Sequence, residues 1–153
     1  MSKAFTREDD SSEENFAPPR APLPPGTQNY ITPDGAARIR SEVEALLTKK
    51  KNSGTPNASA DSRIQYLQSL IQTFVIVEPG PSEVVRFGST VSVIQNGSPE
   101  TYRIVGVDEI DLERDHISWL SPLARALMGK RAGDKLTFRA PAGAQEIAIQ
   151  NIS

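Results

Sequence analysis

The sequence contains no cysteine and a single histidine, His116. The lack of cysteine excludes disulfide bonds and thiolate chemistry, and one histidine cannot supply a histidine-rich metal site. Any bound metal ion would therefore need carboxylate ligands. His116 has no serine or cysteine partner in a recognisable catalytic arrangement, so we expect it to lie at the surface or in satisfied packing.

Long apolar runs and excess positive charge are also lacking. No apolar stretch approaches the roughly 20 residues of a membrane-spanning helix, and the N-terminal sequence has no signal-peptide core. A net charge of −2 is unlike the concentrated basic surface of a dedicated nucleic-acid-binding protein. We therefore expect a cytoplasmic monomer, without membrane contact, whose main partner is another protein.

Residues 1–29 are rich in acidic residues and then in proline, and they contain few apolar side chains. This composition predicts a disordered tail. A docking arm or an autoinhibitory acidic strip is the functional alternative, but a solvated leader needs no further assumption.

A short helical hairpin is predicted within residues 30–76. Thr32, Pro33 and Asp34 supply a capping hydroxyl, a proline at the first helical position and an acidic residue in the first turn. The helix that starts there should run to about Lys50, where turn-forming residues begin.

A second helix is predicted after this turn, with Asp61 or Ser62 as its cap. In both helices apolar residues recur at spacings of three and four, which is the pattern of two amphipathic helices packed against each other. The positions concerned are Ala37, Ile39, Val43, Ala45, Leu46 and Leu47 in the first helix and Ile64, Leu67, Leu70, Ile71 and Phe74 in the second.

Residues 77–153 are predicted to form a separate domain with a small, mainly antiparallel sheet, which makes the fold class α+β. β-branched and aromatic residues cluster in short runs. The runs are 84–94, 102–107, 117–120, 136–138 and 147–152. Asn96-Gly97 tolerates the positive φ angles of a tight hairpin turn. Ser121-Pro122 and Gly129 are start and stop residues of one short helix.

Several motifs in this domain occur in a characteristic order. They are Phe87-Gly88-Ser89-Thr90-Val91, Tyr102-Arg103-Ile104-Val105-Gly106, Asp108-Glu109, Ile117-Ser118, Ser121-Pro122-Leu123-Ala124-Arg125-Ala126-Leu127 and Gly129-Lys130. Together they resemble the C-terminal domain of the bacterial GreA/GreB transcript-cleavage factors. The resemblance implies a small FKBP-like fold that grips the rim of the RNA polymerase secondary channel on a coiled coil of the β′ subunit, while the helical hairpin enters the channel.

The resemblance also implies which residues meet the polymerase. The expected contacts are Ser121, Pro122, Ala124, Arg125, Asp108 and Glu109, with Asp111 nearby. Leu120 stands where family members commonly have Asn or Asp. From the residues alone, Ser121-Pro122 is better interpreted as a helix start, and the acidic group as a solvated loop instead of a metal site.

The expected hairpin tip lacks the feature that Gre factors use for cleavage. Those factors present paired carboxylates that help to hold a second magnesium ion in the polymerase active site. Residues 49–61 contain no acidic pair, and a helix ending near Lys50 would extend only roughly 27 Å. We therefore expect a regulator that is not itself an enzyme, needs no cofactor and does not stimulate cleavage.

Two other interpretations stay open at this point. The FKBP-like fold allows a prolyl isomerase, and a nucleoside-diphosphate-kinase-regulator type of protein shares this domain and a shortened hairpin. The triplet Lys49, Lys50 and Lys51 allows a weak contact with RNA or polymerase acids, although lysines at a helix C-terminus also interact favourably with the helix dipole.

Overall fold

The computed structural model of the protein describes residues 15–153. These residues form two compact units. The helical unit comprises residues 15–27 and 38–73, and the sheet unit comprises residues 28–37 and 74–153. The helical hairpin and a mainly antiparallel sheet occupy different parts of the chain, so the fold is α+β, as the sequence predicted.

Two helices form most of the helical unit. Helix α1 spans Pro33–Ser53, so its first turn belongs to the sheet unit, and helix α2 spans Ala58–Thr73. The expected apolar stripes are buried at Ile39, Val43, Leu46, Ile64 and Leu67. The stripe of α1 is narrower than predicted, since Ala37, Ala45 and Leu47 are exposed, and Phe74 begins a strand instead of ending α2.

Ion pairs join the two helices along the hairpin. The guanidinium group of Arg63 donates to both carboxylate oxygens of Glu42, at 2.8 and 3.2 Å. Nearer the loop, Lys50 Nζ lies 2.9 Å from Asp61 Oδ1. The predicted antiparallel hairpin is therefore present.

The boundaries of this hairpin differ from the predicted ones. Helix α1 continues to Ser53, three residues past Lys50. Helix α2 begins at Ala58 because Asn57 caps it, with its Oδ1 accepting a hydrogen bond from Ala60 N at 3.1 Å. The expected cap, Asp61, lies within the first turn instead and pairs with Lys50.

The predicted tail falls only partly within the described part of the chain, since residues 1–14 lie outside it. Residues 15–27 contain no helix or strand but do contact α2. The Arg20 backbone N–H donates to the Tyr66 hydroxyl at 3.2 Å, and the Arg63 guanidinium lies 5.8 Å from the centre of the Phe16 ring. Asn29, which the sequence assigned to the tail, already belongs to a strand.

The sheet unit contains two sheets. Strands β1 (Asn29–Ile31) and β2 (Phe74–Ile76) pair in parallel. The larger sheet has five strands in the order β5-β4-β3-β7-β6. Its strands are β3 (Thr90–Gln95), β4 (Ser98–Val105), β5 (His116–Ser118), β6 (Lys135–Ala140) and β7 (Gly143–Ile152). All of its pairings are antiparallel except β4 with β5.

The predicted hairpin turn at Asn96-Gly97 is confirmed. Gln95 pairs with Ser98, and the two turn residues have φ angles of 49° and 84°. The expected strand over residues 84–94 begins only at Thr90, because Ser89 N donates to Arg86 O at 3.0 Å and closes a turn there.

The core lies between the five-stranded sheet and helix α3, which spans Pro122–Leu127. Its buried members are Val85, Val91, Val93, Ile104, Ala124, Leu127, Ile147 and Ile149. Within residues 15–153, no helix combines the length and the apolar character needed to cross a membrane.

Candidate functional site

The start of α3 carries the first group of expected contact residues. The Ser121 hydroxyl accepts a hydrogen bond from Ala124 N at 3.2 Å, and Pro122 occupies the first turn, so the local sequence caps this helix as predicted. Pro122 and Arg125 are exposed. This end of α3 therefore exposes an apolar ring and a cation to solvent.

Ala124 does not belong to that surface. Its side chain is 0% exposed and lies in the core with Leu127. Residues three apart on a helix share a face, and the face formed by Ala124 and Leu127 packs on the sheet. The Ala124 side chain, which the sequence placed among the contact residues, is therefore not exposed on this end of α3.

Glu109 is also internal, contrary to the expectation that it adds an acidic surface contact. Only 3% of the residue is exposed. Its carboxylate accepts hydrogen bonds from the backbone N–H groups of Thr32 and Gly106, both at 2.8 Å, and from the Thr32 hydroxyl. These contacts place a negative charge at the N-terminus of α1, where the helix dipole favours it.

Two glycines make room for this carboxylate and for the chain beside it. A Cβ atom added to Gly35 would lie 2.1 Å from Glu109 Oε1, and one added to Gly106 would lie 2.1 Å from Tyr30 O. Gly106 ends one of the sequence motifs, but only the fold shows that a side chain fits at neither Gly35 nor Gly106.

The segment that follows Gly106 forms a structured loop, which we call the acidic loop and define as residues 108–115. Asp108 is partly buried and accepts a hydrogen bond from Asn29 Nδ2 at 2.9 Å. Asp111 caps a 3-10 turn at Leu112–Arg114 by accepting from Glu113 N at 3.0 Å. The carboxylates of Asp108 and Asp111 therefore form hydrogen bonds that hold the loop. The described residues contain no cluster of side chains that could hold a metal ion.

His116 fixes the inner side of the acidic loop. It is 4% exposed, and its Nδ1 lies 3.1 Å from Asp111 N and 3.0 Å from Glu109 O. The histidine is thus buried with polar partners, which agrees with a packing role.

Two apolar side chains on the same loop point into solvent. Ile110 is 43% exposed and Leu112 is 83% exposed. Neither was singled out from the sequence, because each stands alone between charged residues and fits neither a helical nor a strand period. Glu113 and Asp115 beside them are exposed as well.

An aromatic cluster supports the chain that leads to Ser121. The rings of Tyr30 and Trp119 have centres 4.9 Å apart, and Phe87 lies 5.8 Å from Tyr30 and 6.3 Å from Trp119. Leu120 follows directly, partly buried, with its N–H donating to Ser118 Oγ at 3.1 Å. Tyr30 was not expected here, because it is distant in sequence.

The aromatic residues that a prolyl isomerase pocket would need are used in packing. Trp119, Tyr102 and Phe138 pack against the core, and Phe87 packs on Tyr30 and Trp119. The Tyr102 hydroxyl donates to Gln95 Oε1 at 2.5 Å, and burial raises its pKa, with Glu100 and Asp115 adding to the effect. These contacts do not favour the isomerase interpretation.

The tip of the hairpin is the short segment between α1 and α2. Residues 54–57 join the helices and contain no acidic residue, and Asp61 is engaged by Lys50. Helix α1 is 21 residues long, or about 31 Å at 1.5 Å per residue. The turn of the hairpin therefore contains no pair of carboxylates.

Comparison with known proteins places the sheet unit in a sequence family. Residues 80–153 match the family model described as "Transcription elongation factor, GreA/GreB, C-term". This range contains the acidic loop, α3 and the five-stranded sheet.

Similarity to individual proteins extends further along the chain. GreB of Neisseria meningitidis serogroup A is 33% identical over 82% of this chain and 94% of its own length. GreB of Pseudomonas aeruginosa is 33% identical over 84% of this chain and 89% of its own. GreA of Rhodospirillum rubrum is 31% identical over 75% of this chain and 90% of its own.

Solved structures of related factors are also similar. Thermus thermophilus GreA factor homolog 1 is 23% identical with a TM-score of 0.42, covering 83% of this chain and 99% of that one. The GreA/GreB factor of Nitrosomonas europaea is 24% identical with a TM-score of 0.42, covering 82% and 99%.

Proposed function

Because the chain belongs to the GreA/GreB family of transcription elongation factors, we propose that it binds bacterial RNA polymerase and regulates elongation without stimulating transcript cleavage. The observation that carries the second part is the composition of the hairpin tip. The turn between α1 and α2 has no carboxylate, and the nearest acid, Asp61, forms an ion pair with Lys50.

The cleavage reaction explains why the tip matters. A second magnesium ion needs oxygen ligands, and two carboxylates supplied together provide both charge and geometry. Asn52, Ser53, Thr55 and Asn57 offer only neutral oxygens. A hairpin of this composition can occupy the channel, but it cannot complete the metal site in the polymerase.

The proposed docking surface lies on the sheet unit. Pro122 and Arg125 are its exposed members on α3, and the Ser121 hydroxyl supports them by capping the helix. Asp108 is partly exposed on the acidic loop. We assign this surface to the rim of the secondary channel, on the β′ coiled coil, with the protein acting as a cytoplasmic monomer.

The lysines near the tip contribute less to the proposed binding than the surface on α3. Lys50 pairs with Asp61 and therefore contributes within the hairpin. Lys51 is exposed at the end of α1, where a weak contact with RNA or with acidic residues of the polymerase is sterically open.

A binding assay with purified core polymerase tests the docking surface. Arg125→Ala combined with Pro122→Ala should weaken retention of the full-length protein, because both exposed side chains are lost. Arg139→Ala, which removes an exposed arginine on the edge strand β6, is the matched control and should bind like the parent. Unchanged retention of the double variant would remove this interface.

A further inference from the structure

The acidic loop presents an apolar pair, Ile110 and Leu112, with exposed fractions of 43% and 83%. A single exposed apolar residue is ordinary on a protein surface and needs no explanation. Here two occur with one residue between them, on a loop whose other members are all charged. Building on the polymerase binding proposed above, we propose that this pair is an anchor that inserts into an apolar socket bordered by basic residues on RNA polymerase.

The backbone of the loop is held in place before any partner arrives. Asp111 accepts from Arg114 N through its carbonyl oxygen at 3.0 Å and from Glu113 N through its carboxylate at 3.0 Å. Its own N–H donates to His116 Nδ1 at 3.1 Å. A loop ordered in this way loses little conformational entropy on binding, which favours its use as a contact element.

The inner and outer sides of the loop have opposite characters. Glu109 and His116 are buried on the inner side, each with polar partners inside the domain. Ile110 and Leu112 project outward, away from the core cluster that would otherwise bury them. Two polar side chains are thus buried while two apolar side chains beside them are exposed, the reverse of what folding stability alone favours.

The charges around the anchor determine which partner it fits. Asp108, Glu113 and Asp115 surround it with negative charge, while the one basic residue of the loop, Arg114, has its Nε 3.3 Å from an Asp111 carboxylate oxygen. A basic protein surface complements this field, whereas nucleic-acid phosphates would be repelled. The partner that the anchor contacts is therefore a protein surface and not RNA or DNA.

The test is the affinity of the full-length protein for purified core RNA polymerase at low and high salt. Leu112→Ser should weaken binding by about tenfold, the range expected when one buried leucine is lost from an interface. Leu112→Met should retain most of the affinity. Ile76→Ser, an exposed apolar residue on β2 of the same unit, is the matched control and should bind like the parent.

A second experiment tests the role of the negative charges with the double variant Glu113→Gln and Asp115→Asn. Asn tolerates the left-handed backbone at position 115, where φ is 59°, so the loop keeps its conformation. This variant should bind more weakly at low salt and show a smaller loss between low and high salt.

The possible results separate this inference from the proposed function. Parent protein that binds polymerase, together with Leu112→Ser that binds equally well, overturns the anchor and leaves the proposed function standing. Parent protein that fails to bind polymerase overturns both. Weaker binding of Leu112→Ser with an unchanged melting temperature supports the anchor.

Discussion

The carboxylate of Glu109 accepts a hydrogen bond from the backbone N–H of Thr32 at 2.8 Å, across a separation of 77 residues in sequence. The same carboxylate also accepts a hydrogen bond from the backbone N–H of Gly106. The Thr32 hydroxyl in turn accepts a hydrogen bond from the backbone N–H of Gly35 at 3.1 Å. The loop after β4 and the first turn of α1 are thereby held together by one buried charged group.

We predict that Glu109→Ala destabilises the protein by about 3 kcal/mol, because it leaves the N–H groups of Thr32 and Gly106 buried without their acceptor. Urea unfolding followed by circular dichroism measures this free energy. Glu113→Ala, an exposed acidic residue of the same loop, should change it by no more than about 0.5 kcal/mol. Equal effects of the two substitutions would show that the buried contacts do not matter.

Replacing Gly35 by alanine should change the stability of the protein in the direction opposite to the usual one for a helix. In a helix, Gly→Ala normally stabilises by about 1 kcal/mol. Here the added Cβ would lie 2.1 Å from Glu109 Oε1, so we predict that Gly35→Ala destabilises. In a double-mutant cycle, the cost of Gly35→Ala should shrink in the Glu109→Ala background, since the contacts with Glu109 Oε1 and Cδ are then removed and only the 2.8 Å approach to the Cβ of residue 109 remains. Additive effects in that cycle would argue against the contact.

Arg63 links the N-terminal segment to the helical hairpin. Its guanidinium pairs with Glu42 and lies near the rings of Phe16 and Tyr66, at 5.8 and 5.9 Å. Arg63→Ala should therefore increase proteolytic cleavage within residues 15–27 and lower stability by about 1 kcal/mol. Arg40→Ala removes an exposed arginine of α1 and serves as the control. Cleavage patterns that do not differ between the two variants would contradict this role.

Tyr102 gives a prediction about alkaline pH. Burial first, and then Glu100 and Asp115, raise its pKa above the ordinary value of 10.0. The native state therefore holds this proton when the unfolded state has lost it, so the contribution of Tyr102 to stability is complete below about pH 10 and is lost as pH rises through the raised pKa.

Glu100→Gln should lower the pKa of Tyr102, because one neighbouring negative charge is removed. Absorbance titration of phenolate, compared between the parent and this variant in the presence of Tyr30→Phe and Tyr66→Phe, isolates the group. A titration curve that does not move on this substitution would rule out the charge effect.

Structural features that are decided by residues close together in the sequence could be predicted. Asn96-Gly97 specifies a hairpin turn, and Ser121-Pro122 specifies the start of α3, because the deciding interactions span only a few residues. The start of α2 was missed by a small distance, since Asn57 and Asp61 are both competent caps and local preference does not rank them.

Features that depend on distant residues could not be predicted. The parallel pairing of β1 with β2 joins Asn29 to Phe74, and the surroundings of Glu109 are set by Thr32. The assignment of Glu109 and Ala124 to the surface failed for this reason: sequence patterns identify a loop acid or a helical alanine but not the element that covers it.

The central claim is that this family member binds polymerase without stimulating cleavage. Its most direct test measures transcript shortening in a stalled elongation complex, with this protein alone and in a mixture with a cleavage-competent GreB. We predict no added shortening by the protein alone and reduced shortening in the mixture, since both would occupy the same channel. Robust shortening by the protein alone would contradict the account.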